Sequence, residues 1–264
     1  MRRLLATAAA LLALGAAPAA AGQRTVIADG HVDLGPRFAG GTWTIQIRDD
    51  TVEPPTWREL PDVVLQAVGA ARTEVPDDRA FAFLGKPGAP VWLLPQVEQT
   101  GVLWPGWNTQ HESVVDEIAR EVTWRLHGVR GPGRFALFST QDFGAPALLF
   151  SSARPFPQEI GIDADSHVHA NWAFSAPGTY LLDVELAATT RSAGDVNARE
   201  TLRIFVGDNR PERAFEVAAA TPPSTADDGG RAWPIVALAG VLVLAVGGGV
   251  IVARRRRREP EPSR

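Results

Sequence analysis

The chain has 264 residues, contains no cysteine and carries a formal net charge of −4 at neutral pH. Without cysteine there are no disulfides, so stability must come from the core or from a bound ligand. Leaving out the eight arginines and two glutamates of the terminal segments leaves 18 basic and 28 acidic residues. A charge near −10 argues against a nucleic-acid partner and is compatible with cation binding.

The N-terminus has the pattern of a secretory signal peptide over residues 1–21. Arg2-Arg3 gives the positive start, an apolar run follows from Leu4 to Ala16, and Ala19-Ala20-Ala21 is an A-x-A cleavage site. The apolar run is too short for a membrane anchor and ends in small residues. The chain is therefore predicted to be exported.

The C-terminus predicts a membrane anchor. Residues 208–232 are rich in Pro, Ser, Asp and Gly and predict a flexible tether. Residues 233–253 are an uncharged apolar run long enough to cross the hydrocarbon core, and Arg254 to Arg258 follow directly. Because positive residues stay cytoplasmic, residues 254–264 form an inside tail and the domain at 22–207 lies outside the cell membrane.

The exported part predicts an all-β fold. Short segments with alternating apolar residues, such as Trp43, Ile45 and Ile47, are separated by frequent turn signals. This spacing favours an Ig-like or jelly-roll sandwich of two sheets. Residues 113–120 are compatible with either a short helix or a strand.

Residues 167–184 predict a strand, a turn at Pro177-Gly178 and a second strand. The strand period of two places His167, His169 and Asn171 on one face. The opposite face then carries Trp172 toward the core.

His31-x-Asp33 and His167-x-His169 have the same spacing, so each pair presents two possible metal ligands on one strand face. Three imidazoles and one carboxylate suit Zn²⁺ or Mn²⁺. Asp163 and Asp165, just upstream of the second pair, are candidates for supporting or alternative oxygens. The alternative is that all these groups are ordinary polar strand residues, hydrogen-bonded or exposed to water; the same alternative applies more strongly to His111 and His127.

Catalytic signatures are weak. His111-Glu112 begins an H-E-x-x-H motif, but Val115 occupies the position of the second histidine. No G-x-S-x-G elbow is present and a cysteine nucleophile is impossible. The protein is therefore expected not to be an enzyme.

The tryptophans leave a second role open. Trp104-Pro105-Gly106-Trp107 predicts a turn carrying two indoles. Burial in the core is the usual fate of such rings. An exposed pair would instead suit a structural or adhesive surface domain that binds envelope polysaccharide or a partner protein.

Several motifs together resemble a known family. The segment His167 to Tyr180, with His31 to Gly35, Gly106 to Thr109 and Gly131 to Phe135, is similar to the actinobacterial surface-anchored domain of choice-of-anchor M proteins. The resemblance covers roughly residues 25–207. It implies a cell-surface protein associated with a metal-type ABC transporter of the anchored-repeat class. Combined with the histidine spacing, it leads to the expectation of a surface protein that binds a metal ion or a metal-bearing ligand.

Overall fold

The structure is a computed structural model that describes residues 23–141 and 144–219. The predicted signal peptide, the apolar segment at 233–253, the arginine-rich tail and the tether from residue 220 onward lie outside the described residues. No helix within the described ranges is both long and apolar enough to cross a membrane.

The described residues form sixteen strands and one short α-helix, which confirms the all-β class. In chain order the strands are β1 (Thr25–Ile27), β2 (Gly30–Ala39), β3 (Thr42–Asp49), β4 (Thr56–Glu59), β5 (Val63–Ala67), β6 (Arg72–Glu74), β7 (Pro90–Leu94), β8 (Leu103–Asn108), β9 (Ile118–Arg130), β10 (Phe135–Thr140), β11 (Pro146–Ser151), β12 (Gln158–Asp163), β13 (His167–His169), β14 (Asn171–Phe174), β15 (Gly178–Thr190) and β16 (Gly194–Val206). The helix, α1, spans Glu112–Glu117 and lies between β8 and β9.

The strands are divided among three hydrogen-bonded sheets, where the sequence predicted two. Sheet A has six strands in the order β1-β5-β16-β15-β9-β12. Sheet B has the order β13-β8-β2-β3-β4, and sheet C has the order β11-β10-β14-β7-β6. Most pairs are antiparallel, but β2 pairs with β8, and β5 with β1 and β16, in parallel.

One continuous apolar core joins the three sheets, and Trp124 of sheet A lies at its centre. Its ring centroid is 5.5 Å from that of Trp107 in sheet B and 5.8 Å from that of Trp172 in sheet C. All three rings are buried. The alternation predicted for β3 is confirmed, because Trp43, Ile45 and Ile47 all face this core.

The segment 113–120 contains both of the predicted structures. Helix α1 ends at Glu117 and β9 begins at the next residue, Ile118. The helix starts after His111, whose Nδ1 accepts a hydrogen bond from the Ser113 amide at 3.2 Å.

The turn at Pro177-Gly178 is confirmed, and Gly178 has a φ of +128°. The strand before it is not continuous, however. His167–His169 forms β13 in sheet B and Asn171–Phe174 forms β14 in sheet C, with buried Ala170 at the crossing between them. Trp172 is buried as predicted, at 1% exposed.

The folded part extends beyond Gly207 into the segment predicted as a tether. Pro211–Phe215 forms a 3₁₀ turn in which Ala214 is buried. The Gly69 amide donates to Asp208 Oδ1 at 2.7 Å, which ties this segment to the start of a neighbouring turn.

Candidate metal centre

The centre is built on three adjacent strands of sheet B. Strand β8 lies between β13, its antiparallel neighbour, and β2, its parallel neighbour. The register places His169 opposite Gly106 and places Gly106 opposite Asp33. Asp33 and His169 therefore approach from opposite sides of a residue that has no side chain.

The other two predicted ligands, His31 and His167, pair with the residues two positions before and two positions after Gly106 on β8. His31 is opposite Trp104, and His167 is opposite Asn108. Because side chains alternate along a strand, all of these residues share one face of sheet B. The opposite face carries the core residues, among them Trp107.

The four predicted ligands meet at one point. The His31 Nε2 atom is 3.3 Å from His167 Nε2 and 3.2 Å from His169 Nε2, and the last two atoms are 3.0 Å apart. Asp33 Oδ1 is 3.0 Å from His167 Nε2 and 3.5 Å from His31 Nε2. All four atoms lie within 4.8 Å of one another, so the group could hold a metal ion.

This convergence has a physical cost that a cation would remove. A ring nitrogen offers either one proton or one lone pair, so three of them facing one point cannot all be satisfied by each other. The Asp33 carboxylate is 0% exposed. A buried carboxylate requires a positive partner or a full set of hydrogen bonds. One metal ion would satisfy the three nitrogens and the oxygen together.

No protein-family model, curated protein or solved structure matches this chain.

Asp50 and Asn108 orient two of the candidate ligands by contacting the polar atoms that face away from the centre. His31 Nδ1 is 2.9 Å from Asp50 Oδ2, which leaves Nε2 for the centre. Arg48 Nη1 is 3.2 Å from the same Asp50 oxygen. On Asp33, the Oδ2 atom accepts a hydrogen bond from Asn108 Nδ2 at 3.1 Å, which leaves Oδ1 facing the imidazoles.

Trp104 forms one wall of the centre. Its ring stacks on His169, with centroids 3.9 Å apart and planes inclined by 14°, and its Nε1 donates to the Gln96 carbonyl at 3.1 Å. His169 Nδ1 is buried without a hydrogen-bond partner of normal geometry, so the stacking contact fixes the ring.

The surroundings shift the pKa values of the candidate ligands in different directions. Burial, aided by the charges of His167 and His31, lowers the pKa of His169 to about 4. The Asp33 carboxylate, 3.5 Å from His31 Nε2, raises the pKa of His31, and Asp50 raises it further, while burial acts in the opposite direction. Burial alone would raise the pKa of Asp33, but His31 and His167 hold it below its usual value. Near neutral pH the centre therefore has an ionised carboxylate and an unprotonated His169 available for a cation.

The remaining histidines lie elsewhere. His111 caps α1, and its ring contacts Trp57 with centroids 5.4 Å apart. His127 Nε2 is 2.6 Å from Glu185 Oε2 on sheet A. Both histidines therefore have structural contacts away from the centre, in agreement with the alternative that they are ordinary polar residues.

Asp163 and Asp165 do not support the ligands. The backbone carbonyl of Asp163 accepts hydrogen bonds from Thr109 and Ser166, and Asp165 Oδ1 is 3.4 Å from Gln110 Nε2. Both residues shape the turn that leads into β13. The supporting groups are Asp50 and Asn108, which the sequence reasoning missed.

The predicted turn at Trp104-Pro105-Gly106-Trp107 is wrong, because these residues lie within β8 between two other strands. Trp107 is buried and Trp104 packs on His169, so the two indoles do not form an exposed pair. Pro-Gly is a strong turn signal, so the sequence predicted a turn here. The alternation of Trp104, Gly106 and Asn108 is instead that of a strand, and it places these three residues on the same face as the candidate ligands.

Proposed function

We propose that this chain is a cell-surface protein, anchored by residues 233–253, whose exported β-sandwich binds a divalent transition-metal ion through His31, Asp33, His167 and His169. The sandwich would have sheets B and C together facing sheet A. The proposed role is non-catalytic binding of Zn²⁺ or Mn²⁺, either free or as part of a metal-bearing ligand. The observation that carries it is the convergence of three imidazole nitrogens and one buried carboxylate oxygen.

The donor chemistry supports this proposal. Imidazole nitrogen with one carboxylate oxygen is a usual donor set for first-row divalent metals. The ligands are also oriented by Asp50 and Asn108, as the ligands of metal sites usually are. The predicted export and the net negative charge of the exported residues favour the binding of a cation outside the membrane.

The partner is proposed from the family resemblance alone. It is a metal-type ABC transporter in the same membrane, to which the bound ion would be delivered. The adhesive alternative is not proposed, because Trp107 is buried and Trp104 packs against a candidate ligand.

Calorimetric titration of the purified full-length protein with Zn²⁺ and with Mn²⁺ tests the proposal. The wild type is expected to bind one ion, and His167→Ala/His169→Ala is expected to bind none. The matched control is His111→Ala/His127→Ala, which removes two histidines outside the centre and should bind like the wild type.

Two results would contradict metal binding at this centre. One is equal heats from the wild type and the His167→Ala/His169→Ala variant. The other is binding no tighter than about 1 mM, which corresponds to about −4 kcal/mol.

A further inference from the structure

The four donor atoms are not arranged as a regular tetrahedron. Asp33 Oδ1 is 3.5 Å from His31 Nε2 and 3.0 Å from His167 Nε2, and the three imidazole nitrogens are 3.0–3.3 Å apart. His169 Nε2 and Asp33 Oδ1 lie within 4.8 Å of each other but, unlike the His31–Asp33 and His167–Asp33 pairs, are not in ion-pair contact. Five edges are thus short and one is long.

These edges can be compared with ideal coordination at metal–donor distances of about 2.1 Å. A tetrahedron at that distance has six equal edges of about 3.4 Å. An octahedron has neighbouring donors about 3.0 Å apart and opposite donors about 4.2 Å apart. One long edge with five short edges fits part of an octahedron better than a tetrahedron, with Asp33 and His169 as the most widely separated donors, and these two residues also lie on either side of Gly106 in sheet B.

Four donors arranged in this way do not enclose an ion. They all rise from β2 and β13, and Gly106 of β8 lies beneath them. The uncovered side consequently points away from the sheet. The His167 side chain, which is 33% exposed, borders that side.

We propose that the bound ion keeps an open coordination position directed away from sheet B, and that this position takes an anionic ligand of the carboxylate type. The inference rests on the proposed function, since it requires that the centre binds a metal. It adds that the ion can be held jointly by this protein and by a donor group from outside, which is what hand-over to an acceptor requires.

Asn108 is the positioning residue that keeps the position open. Its Oδ1 accepts the Gln110 amide at 2.7 Å, which fixes the orientation of its own amide group, so that Nδ2 must donate to Asp33 Oδ2. Asp33 Oδ2 is thereby turned toward Asn108, and Oδ1 is the oxygen that faces the imidazoles. If Oδ2 were released, the carboxylate could bind through both oxygens and occupy one further coordination position of the ion.

Charge favours an anion at this position. A divalent ion bound by one carboxylate and three neutral imidazoles retains one positive charge. The Arg48 guanidinium and the Asp50 carboxylate form an ion pair beside His31 and cancel each other, so the positive charge at the open position is that of the ion itself. An oxygen anion is therefore a better ligand here than a neutral donor.

Cobalt substitution of the full-length protein tests the inference. Tetrahedral Co²⁺ absorbs visible light strongly, six-coordinate Co²⁺ absorbs weakly and five-coordinate Co²⁺ is intermediate, so the intensity of the spectrum reports the coordination number. We expect a weak spectrum that shifts when azide or acetate is added. In Asn108→Ala the shift should be reduced, with Zn²⁺ affinity about 10–100-fold lower, and the control His127→Ala should behave as the wild type.

The outcomes separate the two proposals. An intense tetrahedral spectrum that does not respond to azide or acetate would overturn the open position and leave metal binding intact. A protein that takes up neither Co²⁺ nor Zn²⁺ would overturn the proposed function and this inference with it. If Asn108→Ala does not fold, the wild-type spectrum alone decides.

Discussion

Gly106 lies beneath the ligand side chains, in the same row of sheet B as Asp33 and His169. A Cβ atom at this position would lie 2.5 Å from Asp33 Oδ1, 2.8 Å from His169 Cε1 and 2.9 Å from the Val168 carbonyl oxygen. These distances are shorter than van der Waals contact. Glycine is required here for space, since the ligands occupy the volume that any side chain would need.

Gly106→Ala is therefore expected to weaken metal binding by about 10–100-fold, the range seen when groups that support metal ligands are disturbed. It should also cost about 1–3 kcal/mol of stability through overpacking. Titration calorimetry and chemical unfolding measure the two effects. Gly128→Ala is the matched control, because an added methyl group there meets no atom within 4 Å. Wild-type affinity in Gly106→Ala would show that the ion does not bind over β8.

At the residue scale, local spacing was enough to single out the four residues that meet at the candidate centre, but not the groups that support them. His31 with Asp33, and His167 with His169, follow from the period of two along a strand. Asp50 and Asn108 become neighbours of the ligands only through the pairing of β2 with β3 and β8. Pairing between strands is a long-range property that local patterns do not contain.

At the scale of elements, the crossing at Ala170 divides the segment 167–174 between two sheets, in which its two halves have different roles. Strand β13 is at the edge of sheet B and carries two ligands, while β14 is inside sheet C and carries Trp172. The sequence predicted one strand here because its alternation continues across residue 170 without a turn signal. Alternation specifies which side chains are buried, and it does not specify which sheet a strand joins.

The prediction for this element is that Trp172→Ala destabilises the protein by about 3–5 kcal/mol, the usual cost of deleting a large buried ring. The Trp172 ring packs against Trp124 and Phe135, with centroids 5.8 and 6.0 Å away. Urea unfolding measures the change. Trp172→Phe is the control: it keeps a ring in the core and removes a buried Nε1 that has no partner, so its cost should stay below about 1.5 kcal/mol. A loss under about 1 kcal/mol for Trp172→Ala would contradict the assigned core.

At the scale of the whole molecule, the all-β class followed from the frequent turns and short alternating segments, and the number of sheets did not. All three sheets contribute residues to one core, and Trp124 of sheet A contacts rings of both other sheets. A sequence pattern reports that a strand has a buried face, and this is equally true in two sheets or three. The parallel pairing of β2 with β8, on which the metal centre depends, also has no local signal.

The metal centre would join distant parts of a chain that has no cysteine. His31 and His167 are 136 positions apart, and the ion would tie the edge strand β13 to β2 across β8. The unfolded chain does not hold these residues together, so an ion bound by them would favour the folded state. Such a ligand stabilises the fold by mass action, by about 2.7 kcal/mol at a concentration one hundred times its Kd.

For a domain of this size, that stabilisation should raise Tm by roughly 5–10 °C. Differential scanning calorimetry of the full-length protein, with a chelator and then with excess Zn²⁺, measures the shift. The His167→Ala/His169→Ala variant should show the same Tm in both conditions, because it lacks both ligands of β13. Hydrogen exchange on the wild type adds a local test, since the amides of β13 should gain more protection than those of sheet C. A Tm that does not change while Zn²⁺ is bound stoichiometrically would show that the ion binds folded and unfolded chains alike, and that the centre does not cross-link β2 and β13.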